Sequence, residues 1–245
     1  MTVKILGVCG SPRAHSNSLD CTVEALKAAR AVNGVKTGLI DLAKLKINHC
    51  VDCGLCSKEG TRRNPCPRFE DDMTPLYRRV TSADGFIFTS PAYYGDVSSL
   101  MKTFLDRLRP FSTGFYRAHV GAKFKDTLRF KPAGAIAVGG GRNDGIESTI
   151  ASLRRAFSYH DMIAVGSQFV RYKGIPREVG FISSWGGAVH SGSKPNAVER
   201  DLGGMVTVRI LGKKVAAMAK VLKTVWPKLQ EEYAKIEAGK VDRTI

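Results

Sequence analysis

The sequence alternates short apolar runs with segments of helical periodicity. Runs with the length and composition of buried strands occur at residues 3–9, 35–42, 84–89, 132–138 and 162–167. Between them, apolar residues recur at helical spacing, as Leu19, Val23 and Leu26 do after the first run. Strands that alternate with helices build parallel sheets. We therefore predict an α/β fold, a doubly wound five-stranded parallel sheet with helices on both faces.

Loops rich in glycine and hydroxyl side chains follow the first, third and fourth runs. We call residues 10–18 loop 1, residues 90–97 loop 2 and residues 139–145 loop 3. Each loop follows the carboxyl end of a parallel strand, so all three open on one edge of the sheet and can converge on one ligand.

Each loop also has a simpler interpretation. Loop 1 leads into a helix whose free N–H groups suit phosphate, although Ser16 or Asn17 could be an ordinary helix cap. Its spacing matches neither a P-loop nor a dinucleotide fingerprint. The paired tyrosines of loop 2 suit a flat ring, but one could pack in the core and the other lie on the surface. Loop 3 is either a third wall of the pocket or a flexible turn.

Four of the six cysteines are concentrated between the second run and the next helix. Cys50, Cys53, Cys56 and Cys66 follow a C-x2-C-x2-C-x9-C pattern, and Pro67 comes next. This compact spacing indicates a [4Fe–4S] cluster. Zinc is the main alternative, although it more often takes two separated C-x2-C pairs, and unmetallated thiols are a third possibility. The remaining pair, Cys9 and Cys21, is predicted to be buried as small apolar side chains.

The charge and composition of the chain limit which partners it can bind and where in the cell it is expected. The net charge is +16, from 38 basic and 22 acidic residues. An acidic redox protein would suit this charge in a chain that holds a cluster, although a solvated basic surface explains it equally well. No nucleic-acid-binding module is recognisable, so we predict no nucleic-acid partner.

No apolar run is long enough to span a membrane, and the N-terminus does not resemble a signal peptide. We therefore expect a cytoplasmic protein with reduced cysteines.

The domain organisation is predicted to be simple. We expect one domain over residues 1–245, with a cysteine loop at 48–68, an irregular insertion at 168–199 and a C-terminal helical extension at 200–245. Thr74 is the expected N-cap of the helix after the cysteine loop, with Pro75 at its first position. Pro227 is expected to break or kink the last helix.

Three stretches together carry a family resemblance: G-S-P-R-A-H-S-N-S-L, S-P-A-Y-Y-G-D-V-S-S-L-M-K-T-F-L-D-R and V-G-G-G-R-N-D-G. They resemble the flavin loops of flavodoxin-like NADPH-dependent FMN reductases. With the cysteine run, the chain is similar to the iron–sulfur flavoproteins of anaerobic archaea and bacteria. The resemblance implies a flavodoxin-like fold, FMN and a [4Fe–4S] cluster in a homodimer or dimer of dimers. It also implies that three sets of residues contact FMN. The phosphate would be bound by Ser11, Arg13, Ser16, Asn17 and Ser18 of loop 1. The isoalloxazine would be lined by Pro91, Ala92, Tyr93, Tyr94 and Gly95 of loop 2, and its other side closed by Gly140, Gly141, Arg142 and Asn143 of loop 3.

The function that follows is an oxidoreductase that passes electrons between a one-electron donor such as ferredoxin, the cluster and FMN, and then to a small-molecule acceptor. We assign no catalytic acid or base. One alternative is an NAD(P)H-dependent flavin or quinone reductase with a structural four-cysteine metal site, for which zinc is the candidate metal. Another is a non-catalytic electron carrier or redox-sensing protein.

Overall fold

A computed structural model describes residues 1–112, 127–141, 145–167, 186–190 and 197–237. Its strands are β1 (Val3–Cys9), β2 (Val35–Asp41), β3 (Gly85–Tyr93), β4 (Asp96–Val97), β5 (Pro132–Gly139), β6 (Ile163–Val165) and β7 (Gly187–His190). The helices are α1 (Asn17–Arg30), α2 (Leu55–Lys58), α3 (Met73–Thr81), α4 (Ser99–Arg107), α5 (Ile146–Tyr159) and α6 (Leu202–Glu237), with short 3-10 turns at Leu42–Lys44, Arg109–Phe111 and Ala197–Arg200.

The sheet has five positions in the order β2-β1-β3-β5-β6, and all its neighbours are parallel. Strand β4 adds a short antiparallel hairpin to β3. The order reverses between β1 and β3, which is the switch point where α/β sheets bind ligands. The predicted doubly wound parallel sheet is therefore confirmed.

The fifth position differs from the predicted single strand at 162–167. It is divided: β6 pairs with residues 132–134 of β5, and β7 pairs in parallel with residues 136–139. Strand β6 is too short to satisfy the eight-residue edge of β5, so β7 supplies the missing hydrogen bonds. The expectation that 168–199 is wholly irregular is accordingly wrong at Gly187–His190.

The two faces of the sheet are covered by different helices. Side chains of α3, α4 and α5 pack with Phe86 and Phe88 of β3, beside the alanines of β5. Side chains of α1 and α6 pack on the opposite face with Ile87 and Ile136. On the first face, large residues of β3 lie next to small ones of β5, whereas on the second face both strands contribute branched aliphatic side chains; the alternation of side chains along a strand separates the two sets. Within the described residues, no helix is both long and apolar enough to cross a membrane.

Two predicted helix boundaries require correction. Helix α3 starts at Met73, before the expected Thr74 cap, because Asp71 Oδ1 accepts the Met73 N–H at 3.1 Å. Helix α6 runs through Pro227 without ending there. Proline removes only the hydrogen bond to the carbonyl four residues earlier, and the rest of this long helix retains its own bonds.

Candidate functional site

Loop 1 joins β1 to α1 and is tied to the first turn of that helix. The Leu19 N–H donates to Ser16 Oγ at 3.1 Å, so Ser16 is the N-cap. Ser11 and Ser18 are buried, and Ser11 Oγ accepts the Arg13 N–H at 3.2 Å. Ser16 therefore acts as the cap, as one interpretation of the sequence has it. The start of the fourteen-residue α1 still presents its first N–H groups beside these hydroxyls.

Loop 2 is a tight hairpin between β3 and β4. Tyr94 and Gly95 form its two-residue turn and have φ of 48° and 78°. Positive φ at both positions is typical of the type I′ hairpin turn. Tyr93 is 40% exposed and Tyr94 is fully exposed, so the alternative that one of them packs in the core is wrong. Both rings are available to a ligand at the carboxyl edge of the sheet.

Hydrogen bonds and one close backbone approach join the three loops. Ser98 Oγ donates to the Gly10 carbonyl, and the Gly10 N–H donates to Thr89 O at 2.8 Å, which fixes the start of loop 1 to the residues on either side of loop 2. Gly145 has φ of 83°, and a Cβ there would overlap the backbone of Gly95. Ser148 Oγ also donates to the Gly95 carbonyl, so loops 2 and 3 touch.

The predicted loop residues can now be placed. Ser11, Arg13, Ser16, Asn17 and Ser18 lie together at the start of α1, and Pro91, Ala92, Tyr93, Tyr94 and Gly95 follow along β3 and its hairpin. Gly140 and Gly141 lie at the end of β5, and a Cβ at Gly140 would meet nothing within 4 Å. Arg142 and Asn143 lie outside the described residues. The joined loops, an open glycine edge and exposed aromatic rings fit a flat phosphorylated ligand such as FMN.

The cysteine loop leaves the same edge of the sheet after β2. Cys50, Cys53, Cys56 and Cys66 all line one cavity of about 20 Å³. Among the described residues, no three His, Cys, Asp or Glu side chains form a metal-holding group, so the thiols share a cavity without closing a coordination shell. Burial raises the pKa of the Cys50 and Cys56 thiols, so metal binding would release protons.

A turn closes the nine-residue gap before Cys66. The Thr61 N–H donates to Asn64 O at 2.9 Å, and the Asn64 N–H donates to Thr61 Oγ1 at 3.0 Å. A Cβ at Gly60 would lie 2.5 Å from Cys56 O and 2.6 Å from Pro65 O. The chain therefore folds back upon itself, and only glycine fits where the two arms approach. This turn returns Cys66 to the cavity of the other three thiols.

Arginines surround the thiols. Arg68, Arg107 and Arg109 line the same cavity, with Asp106 as the acidic member. Arg109 forms an ion pair with Asp52 of the cysteine loop. The charge of Arg109 opposes part of the rise that burial causes in the pKa of Cys50. Four thiol donors with guanidinium groups beside them are the kind of ligands and charges that suit an iron–sulfur cluster.

A buried ion pair, not predicted from the sequence, holds both ends of the cysteine loop. Arg107 on α4 is 1% exposed, and its Nη1 and Nη2 lie 2.7 and 3.2 Å from the two oxygens of Asp71. Nη1 also donates to Asn48 O at 2.8 Å, and the guanidinium carbon lies 5.0 Å from the centre of the Phe69 ring. We call the Arg107–Asp71 pair the loop clamp.

The carboxylate of the loop clamp binds the incoming strand of the loop as well. Asp71 accepts the Asn48 N–H at 2.8 Å, and the neighbouring Asp72 accepts the Lys46 N–H at 2.6 Å. Burial raises the pKa of Asp71, but hydrogen bonds from Arg107 and Asn48 outweigh it and leave the pKa below its ordinary value. Nothing in the local sequence pattern indicates that Asp71 and Arg107, which are 36 positions apart, form a pair.

The role of Ser98 as a helix cap can be recognised from the sequence, because Ser98 directly precedes a helical run as a cap residue should.

Comparison with known proteins identifies the family of this chain. The profile of the family described as NADPH-dependent FMN reductase matches residues 3–174. An iron–sulfur flavoprotein of Methanocaldococcus jannaschii is 36% identical over 221 residues, which are 90% of this chain and all of that protein. An iron–sulfur flavoprotein of Methanosarcina thermophila is 29% identical over 90% of this chain and 97% of its own length.

Solved structures support the fold. RosB, solved with 8-demethyl-8-formylriboflavin-5′-phosphate, superposes with a TM-score of 0.65 at 13% identity, covering all of this chain and 89% of RosB. An NAD(P)H:quinone oxidoreductase of Methanothermobacter marburgensis has a TM-score of 0.56 at 14% identity, covering 87% and 97% of the two chains. Both likenesses concern the flavodoxin-like fold alone. From the profile and the archaeal relatives, this chain belongs to the NADPH-dependent FMN reductase family and, within it, to the iron–sulfur flavoproteins.

Proposed function

We propose that this chain is a flavin-dependent oxidoreductase that binds FMN on loops 1 to 3 and a [4Fe–4S] cluster on Cys50, Cys53, Cys56 and Cys66. It takes electrons from a one-electron donor such as ferredoxin and gives them to a small-molecule acceptor. One observation carries the proposal: two candidate sites lie on the same edge of the sheet. One is formed by the joined loops at the switch point, and the other is the cavity that the four thiols share.

The chain contributes binding and orientation. The first N–H groups of α1 and the hydroxyls of loop 1 bind the phosphate, and Arg13 offsets its charge. Tyr93 and Tyr94 offer ring faces to the isoalloxazine. When bound, FMN supplies chemistry in one- or two-electron steps, and the cluster supplies single electrons.

The cysteine loop needs a fixed shape to hold its ligands. The loop clamp and the Asn48 and Lys46 hydrogen bonds restrain both ends of this loop. Arg68 and Arg109 offset the negative charge that ionised thiols bring to the cavity. With the net charge of +16, these groups favour an acidic electron donor near the cysteine loop.

We also propose a homodimer or a dimer of dimers. One face of α6 exposes Met218, Val221 and Val225, which are 39%, 59% and 45% accessible and recur at helical spacing. A stripe of this kind is typical of a surface that another chain covers. Sedimentation of the wild type and of Val221→Glu tests this: the variant should shift toward the monomer, whereas an unchanged distribution removes the role of this face.

The choice of electron donor tests the function. FMN bleaching is followed without air after mixing with reduced methyl viologen, a one-electron donor, or with NADPH. We expect viologen to bleach the flavin rapidly in the wild type, more slowly by at least about tenfold in Cys66→Ser, and at the wild-type rate in the control Cys21→Ala, which alters a buried thiol outside the cavity. Rapid reduction by NADPH that is equal in all three proteins would favour the hydride-accepting reductase with a structural metal site, which the name of the matching family suggests.

A further inference from the structure

A second cavity lies next to the thiols and is not used by the function proposed above. Its volume is about 460 Å³, within the ordinary range for small-molecule sites. Helices α4 and α5 form its long walls. Cys50 of the cysteine loop lines one end, and Val97 of the loop 2 hairpin lines another part. A molecule in this cavity would therefore touch both the cysteine loop and the last residues of loop 2.

Most charges on the cavity wall are already paired. Lys102 forms an ion pair with Asp106 at 2.6 Å, and Arg109 pairs with Asp52. Arg155 of α5 donates to Ser152 Oγ at 2.5 Å and has no carboxylate partner among the residues that the structure describes.

The remaining acid is Asp96, whose Oδ1 accepts the neighbouring Val97 N–H at 2.7 Å; its carboxylate keeps its charge and is the group that would favour a cation instead. The net charge of the whole chain, +16, adds a general attraction for anions. The cavity thus offers one guanidinium group to an incoming anion.

The same wall contains a buried polar group without a protein partner. His160 is 6% exposed, and its Nδ1 has no hydrogen-bond partner within the described part of the chain. Such groups in a native interior call for an explanation, and a bound ligand is one. Val97, Leu105 and Ala156 supply the apolar part of the lining.

We propose that the α4–α5 cavity binds a small, mainly apolar organic monoanion, with Arg155 on its anionic group and its apolar body against Val97 and Leu105. That this ligand is the electron acceptor rests on the proposed function. The binding itself does not, so it is measured with no electron donor present.

The test uses three matched probes on the protein as purified. They are 2-naphthoate, the neutral 2-naphthamide and the cationic 2-naphthylmethylamine, measured by equilibrium dialysis. We expect naphthoate to bind most tightly, and Arg155→Gln to weaken it by about tenfold, the scale of one charge-assisted hydrogen bond. Arg155→Lys should restore most of the affinity. Arg154→Gln is the control, because it removes the same charge from α5 at a residue that does not line this cavity.

Several results would overturn the proposal. Equal affinity for naphthoate and naphthamide, or equal losses in the Arg155 and Arg154 variants, would remove the role of Arg155. Preferred binding of the amine, lost in Asp96→Asn, would reverse the charge of the ligand. Absence of binding of all three probes would reject the site. Arg155 is exposed, so its variants should fold, and circular dichroism verifies this. Failure of electron transfer with naphthoate binding intact would reject the proposed function and leave the site standing.

Discussion

Replacing Asp71 with asparagine should destabilise the protein far more than replacing an exposed ion-pair partner. The change keeps the shape of the side chain but leaves the Arg107 guanidinium, 1% exposed, without its counter-charge. Removing one partner of a buried ion pair costs about 3–5 kcal/mol, because the remaining charge stays desolvated. Asp71 accepts the Asn48 N–H on Oδ2 and the Met73 N–H on Oδ1, and asparagine keeps only one acceptor oxygen. One of these N–H groups therefore also loses its partner, and we expect a loss of about 4 kcal/mol, the middle of this range.

The assay is urea unfolding followed by tryptophan fluorescence. Lys102→Gln is the matched control, because Lys102 lies on the same helix as Arg107 and its ion pair with Asp106, at 2.6 Å, is 62% and 43% exposed. Exposed pairs contribute about 0–1 kcal/mol, so this variant should remain close to the wild type. If Asp71→Asn also unfolds within about 1 kcal/mol of the wild type, the loop clamp does not stabilise the fold as argued.

A double variant separates the charge from the packing. Combining Asp71→Leu with Arg107→Met removes both charges and retains apolar volume. The loss should be smaller than the sum of the two single losses, since neither charge is left buried alone. Additive losses would contradict a direct interaction. Metal content of the same variants reports whether the clamp also holds the cysteine loop in shape.

Three further perturbations test separate parts of the structure. Gly145→Ala forces a Cβ into the Gly95 backbone at a φ of 83°, so the free energy of unfolding should fall by at least about 1 kcal/mol, whereas Gly140→Ala, whose Cβ meets nothing within 4 Å, should leave it unchanged; equal losses of stability in the two variants would refute the contact between loops 2 and 3. Burial lowers the pKa of His160 from 6.5 to about 4. As the pH falls from 6.5 to 4, this histidine is protonated in the unfolded chain but not in the folded one, so the free energy of unfolding should fall by about 3 kcal/mol. Urea unfolding of His160→Phe should show a flatter pH profile in that window, and an unchanged slope would exclude this histidine as the cause. Ser16→Ala removes the cap of α1 and should lower the free energy of unfolding by about 1 kcal/mol; no change would show that the cap is replaceable.

The sequence predicts the layered fold because buried strands and amphipathic helices have local signatures. Apolar runs locate β1, β2 and β5 within one residue at each end, whereas β3 continues four residues past the predicted end at 89. Ser98 is the N-cap of α4, as a serine before a helical run should be. Cys9 and Cys21 are fully buried, as predicted for small apolar side chains.

Features that depend on distant parts of the chain could not be predicted in this way. Strand β7 has only four residues and is defined by its pairing with β5, not by a pattern of its own. The start of α3 depends on Asp71, whose position is set by Arg107 on another helix. The link between loops 2 and 3 is a contact between the backbones of Gly95 and Gly145, which no side-chain pattern records.

The most direct test of the account is the cofactor content of the protein purified without air. Iron, zinc and FMN are measured per chain, with visible and EPR spectra before and after reduction, for the wild type and Cys66→Ser. We predict one FMN and about four irons per chain in the wild type, with iron lost and FMN retained in the variant. Zinc without iron would contradict the cluster, and a protein that takes up no added FMN would contradict the central claim that loops 1 to 3 form a flavin site.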